Sequence, residues 1–369
     1  MKITITTTTI NVPYLLEDYI KDAIKFGHNN VDFIIAGDKK TPDETPQYCK
    51  ELGQNYSIPV TFMDCDDQNS FLATSFPQLK SYLPWNCIQR RQVAILKAYS
   101  MGSDLIVLID DDNYIACDDY IGKTLRTGKE SEYLTVSTQR GWYNICEDLE
   151  DRHGRKFFPR GYSVDERGEQ DQSATWSRKS ARSVVTAGFW LGDPDIDAVT
   201  RLSAPIDVVS YNRNENYALD SGVFSPFNSQ NTTIHRDIVP AYFLVPEIGR
   251  FDDSWASYIV ERVAWEMGDV VTYGQPLVRQ NRNEHDLWAD AYAEEMGTKL
   301  TPFFCNMLRS IPLSAKTYGG LCAELCAGMK HYINNNNLDF LTYDKRAYLN
   351  HFIDGYNIYL KSLCFSHIG

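Results

Sequence analysis

Residues Asp104 to Asn113 read Asp-Leu-Ile-Val-Leu-Ile-Asp-Asp-Asp-Asn, and this short run narrows the folds open to the chain more than any other. Leu105 to Ile109 form an unbroken apolar run bounded by charge. Alternating polarity would mark a strand with one wet face, whereas this run marks a strand buried on both faces of a parallel sheet. It ends abruptly in Asp110, Asp111 and Asp112. Three carboxylates at the end of a buried strand repel one another and lose solvation, so a positive charge belongs beside them. Oxygen ligands two residues apart suit a hard divalent cation, Mn²⁺ or Mg²⁺, completed by substrate phosphates. Open α/β sheets bind ligands outside the carboxyl ends of their strands, where this triplet falls. The plain alternative is an acidic turn that merely solvates the strand end.

The segments around the run repeat one rhythm. Ile3, Ile5 and Thr7 belong to a first strand that ends in Thr6–Thr9, and Leu15, Leu16, Tyr19, Ile20 and Ala23 form one face of a helix. Val31 to Ala36 is a second buried strand, and Pro42 suits the first turn of the helix after it. Ile58 to Met63 is a third strand. Asn86 opens the next helix in capping-box style with Gln89, and Val93, Leu96 and Ala98 face the sheet. Strand alternating with helix predicts an α/β fold, a doubly wound and mostly parallel sheet flanked by helices. The glycine turn of dinucleotide folds is absent, so a nucleotide here needs a metal to hold its phosphates. From about 116 to 250 the pattern breaks into short strands and loops, with a mobile loop expected over the charged stretch 150–180. Helical periodicity returns over Asp252–Glu266. From about 286 the chain is largely helical, with a turn at Asn334–Asn337. The expected division is a catalytic region over 1–290 and a helical extension over 291–369.

A net charge of −13 argues against a nucleic-acid partner. The opening Met-Lys-Ile-Thr-Ile-Thr enters a strand at once, and no apolar run reaches the roughly 18 residues that a membrane span needs. The nine cysteines include no Cys-x-x-Cys pair. They read as reduced thiols of a cytoplasmic protein without a membrane span.

Several further residues could carry chemistry. Thr7 and Thr8 in the first turn, with Asp38 after the second strand, lie where a base and ribose would dock. Arg90 and Arg91 could reach a pyrophosphate or the edge of a base, since a guanidinium fork pairs bidentately with such groups. Asp252 and Asp253 start a helix, which the helix dipole alone would favour. One of them could also serve as general base or anchor for a sugar hydroxyl, with Trp255 as an apolar wall for the ring. Arg160, in Phe158-Pro-Arg-Gly-Tyr162, could pair with a pyrophosphate and stabilise a departing nucleotide. Gln280 and His285 are candidates for a further metal or phosphate contact.

Taken together, the segments Ile109–Asn113, Phe158–Tyr162 with Arg167 beyond, Gly188-Phe-Trp-Leu-Gly-Asp-Pro-Asp-Ile-Asp-Ala198 and Arg250-Phe-Asp-Asp-Ser-Trp-Ala256 resemble the reversibly glycosylated polypeptide family. That family includes the plant UDP-arabinopyranose mutases, and the resemblance covers roughly residues 1–290. It implies a GT-A type glycosyltransferase fold with Mn²⁺ (or Mg²⁺) and a UDP-sugar donor. Asp110 to Asp112 would bind the metal and the diphosphate, with Asp110, Asp112, His285 and Gln280 as the metal's ligands. Asp38 and Arg90 or Arg91 would hold the nucleoside, Trp190 would join the nucleotide-sugar contacts, and Asp252 or Asp253 would meet the sugar. Arg160 matches the arginine that becomes self-glycosylated in plant members. Ser163 stands where those members carry Pro, and Gln280 where they carry His. The function expected is a metal-dependent glycosyltransferase. A UDP-sugar pyranose/furanose mutase and a silent nucleotide-sugar-binding scaffold subunit are the alternatives. The acceptor is unknown, and the helical tail could build an acceptor pocket or a homo-oligomer contact.

Overall fold

The computed structural model describes residues 1–168, 174–282, 286–336 and 338–365. The expected α/β architecture is the one adopted. Helices flank one large sheet, and helices close the described chain.

The first half builds β1 (Ile3–Thr9), α1 (Leu16–Lys25), β2 (Val31–Gly37), α2 (Thr45–Tyr56), β3 (Val60–Met63), α3 (Cys65–Ser75), α4 (Pro77–Tyr82), α5 (Arg91–Ser100) and β4 (Leu105–Leu108). Strands β3, β2, β1 and β4 lie side by side and parallel. Every residue of β1, β2 and β4 is buried, as strands without polar alternation require. Helix α5 packs on β1, β2 and β4. It starts later than the sequence suggests. Asn86 has φ of +57° and cannot act as the predicted cap. A single 3₁₀ turn over Ile88–Arg90 intervenes, and the Gln89 amide, released from capping, reaches the far side of the future site.

Beyond β4 the sheet is mixed. The chain forms β5 (Asn113–Ile115), α6 (Tyr120–Thr124), β6 (Glu130–Ser137), β7 (Leu149–Asp151), β8 (Thr175–Gly192), α7 (Ala198–Ser203), β9 (Val208–Tyr211), β10 (Tyr217–Leu219), β11 (Thr232–His235), α8 (Asp252–Met267) and β12 (Val270–Gln280). Strand β11 runs antiparallel between β4 and β8, and β12 runs parallel to β8. The expected loop over 150–180 is therefore wrong at its far end. Strand β8 is 18 residues long, and its charged first half is held by ion pairs to neighbouring segments: Arg178 with Glu215, Lys179 with Asp220, and Arg182 with Asp269. Charge that reads as loop is the exposed face of a strand.

Three helices follow: α9 (Leu287–Ser310), α10 (Tyr318–Asn335) and α11 (Tyr343–Phe365). They pack on α4, α7, α8 and the 3₁₀ turn Pro246–Phe251. Trp255 of α8 stacks on Phe304 of α9 with ring centroids 4.1 Å apart. None of the helices described is long and apolar enough to cross a membrane. All nine cysteines are unpaired.

Candidate active site

The carboxyl ends of β1 and β4 open onto a cavity of about 240 Å³, lined among others by Thr8, Arg91, Asp110, Asp111, Asp112, Arg160, Asp195, Arg250, Asp252, Asp253, Gln280 and Arg282. Four arginines thus meet six aspartates in a chain whose net charge is −13. Such a mixture satisfies itself only in part, and the mismatches show where a ligand fits.

The triplet divides its tasks. Arg91, fully buried on α5, donates to Asp110 and also to the Ser229 carbonyl at 2.6 Å. Gln230 donates to the other oxygen of Asp110. Burial alone would lower the Arg91 pKa, and Asp110 reverses that effect. Asp111 accepts from Asn11 and lies 2.7 Å from the Thr9 hydroxyl. Asp112 is buried beside the end of β12, where the Asn281 N–H donates to its carbonyl. The register there sets Gln280 opposite Asn113. Gln280 is 2% exposed, and its side-chain oxygen meets no hydrogen-bond donor among the described residues. A buried, unmatched oxygen beside the triplet is what a hard cation would fill. No three His, Cys, Asp or Glu side chains among the described residues form a metal cage. Asp110, Asp112 and the Gln280 oxygen on one wall fit an ion held by one or two carboxylates and completed by phosphate oxygens. His285 lies outside the described residues.

On the opposite wall Arg160 donates from Nε and Nη2 to the two oxygens of Asp195, at 3.1 and 2.8 Å, and from Nη2 to Asp253 at 3.1 Å. Burial opposes the charge, but Asp195 and then Asp253 hold the guanidinium well above its ordinary pKa. Gly161 keeps this loop close to α8. Its φ is +91°, and a Cβ there would stand 2.5 Å from the Ser254 side chain. Asp253 also lies near Ser229, whose N–H is 3.3 Å away. Asp252 accepts from Gln89 Nε2 at 2.7 Å and from the Asp253 N–H at 2.7 Å. Burial first, and the adjacent Asp253 second, push the Asp252 carboxyl up to about 7.

Other predicted residues fall elsewhere. Asp38 accepts from the N–H groups of Lys39 and Cys87. Arg90 donates twice to Gln68 and lies 3.6 Å over the Trp85 ring. Neither lines the cavity. Thr7 is buried, with its hydroxyl on the Thr8 carbonyl. Trp190 is 3% exposed and lines a smaller chamber behind Arg160. Trp255 corrects the sequence reading: it faces the core, and its indole N–H donates to Thr301 at 2.9 Å. Helical periodicity turns a residue two positions beyond Asp253 away from the cavity.

Sequence reasoning missed Asp195, Gln230, Arg250, Arg282 and the inward Gln89. Asp195 and Arg250 sat in the singled-out runs Gly188–Ala198 and Arg250–Ala256 and Gln89 in a capping pattern, whereas Gln230 and Arg282 carried no local signal. Arg250 is held from α9, by Glu294 at 2.8 Å and Asp290 at 3.2 Å. Glu294 also accepts from the Ala198 N–H at 2.8 Å.

No family model matches the chain. The similarity to UDP-arabinopyranose mutases that the motif runs imply is found over about half of the chain. UDP-arabinopyranose mutase 3 of Arabidopsis thaliana is 29% identical over 181 residues, 47% of this chain and 46% of that protein. Probable UDP-arabinopyranose mutase 1 of Zea mays is 31% identical over 229 residues, 58% and 57% of the two chains. The chain thus spans about half the length of the curated relatives it matches. Among solved structures, glucosyl-3-phosphoglycerate synthase from Mycobacterium tuberculosis, in complex with Mn²⁺ and UDP-glucose, aligns with a TM-score of 0.42 at 13% identity, covering 83% of this chain and 79% of that one.

Proposed function

We propose that this chain acts on a UDP-sugar at its anomeric carbon, as a metal-dependent glycosyltransferase. The observation that carries this reading is the set of unmatched polar atoms around one cavity. Arg91 Nε is a buried donor without an acceptor, Arg282 Nε has no aligned hydrogen bond although it lies 3.5 Å from Asp193, and Gln280 Oε1 is a buried acceptor without a donor. A diphosphate supplies oxygens to the arginines, and a divalent cation supplies positive charge to Gln280 and Asp112. Asp112, Gln280 and Asp110 are the residues that would hold the ion. When bound, the ion neutralises the charge that develops on the leaving diphosphate.

The remaining work falls to side chains. Arg160, kept charged by Asp195 and Asp253, stabilises the departing phosphate oxygen. In this state it is an anion-binding group, because a protonated guanidinium has no free electron pair with which to attack a sugar. Asp252, poised near neutrality, can take a proton from an attacking hydroxyl, and Asp253 stays paired with Arg160. Asp38, Arg90 and Trp85 form a separate cluster suited to the nucleoside. The region 1–290 would be the catalytic unit. The helices beyond it brace it through Glu294, and are where an acceptor would be sought.

The similarity to UDP-arabinopyranose mutases favours a second reading, a UDP-sugar mutase, in which the diphosphate leaves and recombines through a ring hydroxyl. One experiment tests both. The pure protein is incubated with Mn²⁺ and a panel of UDP-sugars without acceptor, and nucleotides and intact protein mass are then measured. An isomeric UDP-sugar establishes the mutase. UDP release without an isomer establishes the transferase. If no UDP-sugar is bound or turned over, both readings fall.

A further inference from the structure

Behind Arg160 lies a second, much smaller space. It measures about 20 Å³, is walled by Ile145, Phe227, Trp190 and Asn228, and shares Arg160 and Asp195 with the large cavity. This is room for one water-sized oxygen and little more. Trp190 is 3% exposed, and its indole N–H meets no acceptor among the described residues. An indole N–H buried in this way leaves a hydrogen bond unmade at a cost comparable to the bond itself. Arg160 Nη1, on the shared wall, likewise has no aligned hydrogen bond, although it lies 3.1 Å from Asp253. The Asp195 carboxylate supplies the acceptor side. It is buried, and although burial raises its pKa, Arg160 and Arg282 hold it well below the usual carboxylate range.

We infer that this chamber receives one hydroxyl of the bound sugar, with the Trp190 N–H as donor and Asp195 as acceptor, and so sets which sugars are taken. The inference rests on the UDP-sugar reading above. A hydroxyl both accepts and donates, which matches one N–H on one side and one carboxylate on the other. A phosphate oxygen only accepts and would face Asp195 with like charge. A methyl group would leave the Trp190 N–H unmatched. A site built around a hydroxyl discriminates strongly against an analogue lacking it, because its own polar groups are then stranded.

The test is calorimetric. UDP, UDP-glucose, UDP-arabinopyranose and the monodeoxy analogues of both sugars are titrated, with Mn²⁺, into the wild-type protein and into Trp190→Phe. One monodeoxy analogue is expected to bind the wild type about tenfold more weakly than its parent. In Trp190→Phe that gap closes, because the parent weakens and the analogue does not, while UDP binds both proteins alike. If every analogue matches its parent in the wild type, or if the gap survives in Trp190→Phe, the chamber holds only a structural water and the inference is wrong. Equal binding of every analogue and its parent by the wild type overturns the inference even if the variant fails to fold. Failure of the wild type to bind UDP or either parent sugar overturns the UDP-sugar reading itself, and the inference with it.

Discussion

Replacing Asp252 with Asn tests the electrostatics of the cavity without any substrate. The Asp252 carboxyl is fully buried beside Asp253, and its pKa is displaced from 3.8 to about 7. The displacement is upward, so the folded state prefers the protonated form. The stability associated with Asp252 is therefore fully present below pH 3.8 and is lost as pH rises towards 7. Each pKa unit is about 1.4 kcal/mol, so the full loss is on the order of 4 kcal/mol, and the part that falls between pH 5 and pH 8 is about 3 kcal/mol. An Asn cannot ionise and escapes this loss. It does surrender one acceptor, since Asp252 accepts from both Gln89 and the Asp253 N–H, but that cost is independent of pH. The assay is urea denaturation of both proteins at pH 5 and pH 8 in the presence of a chelator. The stability of the variant relative to the wild type is expected to improve by about 3 kcal/mol between the two conditions. A relative stability that stays constant with pH would show that Asp252 ionises as an ordinary carboxyl, and its assignment as the proton carrier would go with it.

Asp112→Ala should weaken Mn²⁺-dependent UDP binding by at least about tenfold in calorimetry, with no loss of helical signal, because a metal ligand leaves while the strand stays intact. Glu294→Ala removes the partner of Arg250 and of the Ala198 N–H together. A loss of about 2–4 kcal/mol in urea denaturation is expected, larger than an exposed ion pair would give. Trp255→Phe should cost about 1–3 kcal/mol of stability through the lost Thr301 hydrogen bond and poorer packing, with UDP affinity unchanged when measured directly.

How much of this could be read from the residues depended on the range of the signal. The triplet Asp110–Asp112 and the apolar run before it announced a strand end and a site, because both burial and repulsion are written in consecutive residues. Trp255 misled, since adjacency in sequence says nothing of helix face until the helix's orientation is known. Gln89 misled for the opposite reason. It fits a local capping pattern, yet its amide serves Asp252, which lies 163 residues further along the chain. Arg282 carried no pattern at all, and Arg250 stood in a motif run without any sign of its role. Only the fold brings them beside Asp195, and only burial makes the Arg282 Nε–H, which has no aligned hydrogen bond, informative. The charged residues of β8 looked like a loop because their partners Glu215, Asp220 and Asp269 come later in the chain.

The position of β4 also bears on how the chain is made. One of its edges pairs with β1, already synthesised, but the other waits for β11, where Leu108 meets Thr232. Those partners are separated by about 120 residues, or roughly ten seconds of ribosomal elongation. For that interval the nascent chain carries an unpaired edge of Leu, Ile and Val, the kind of segment that recruits strands from other chains. The three aspartates that close the edge place like charges side by side in any such stack, and so oppose it. Carboxylates gathered for a substrate thereby guard the polypeptide before it has a cavity to put one in.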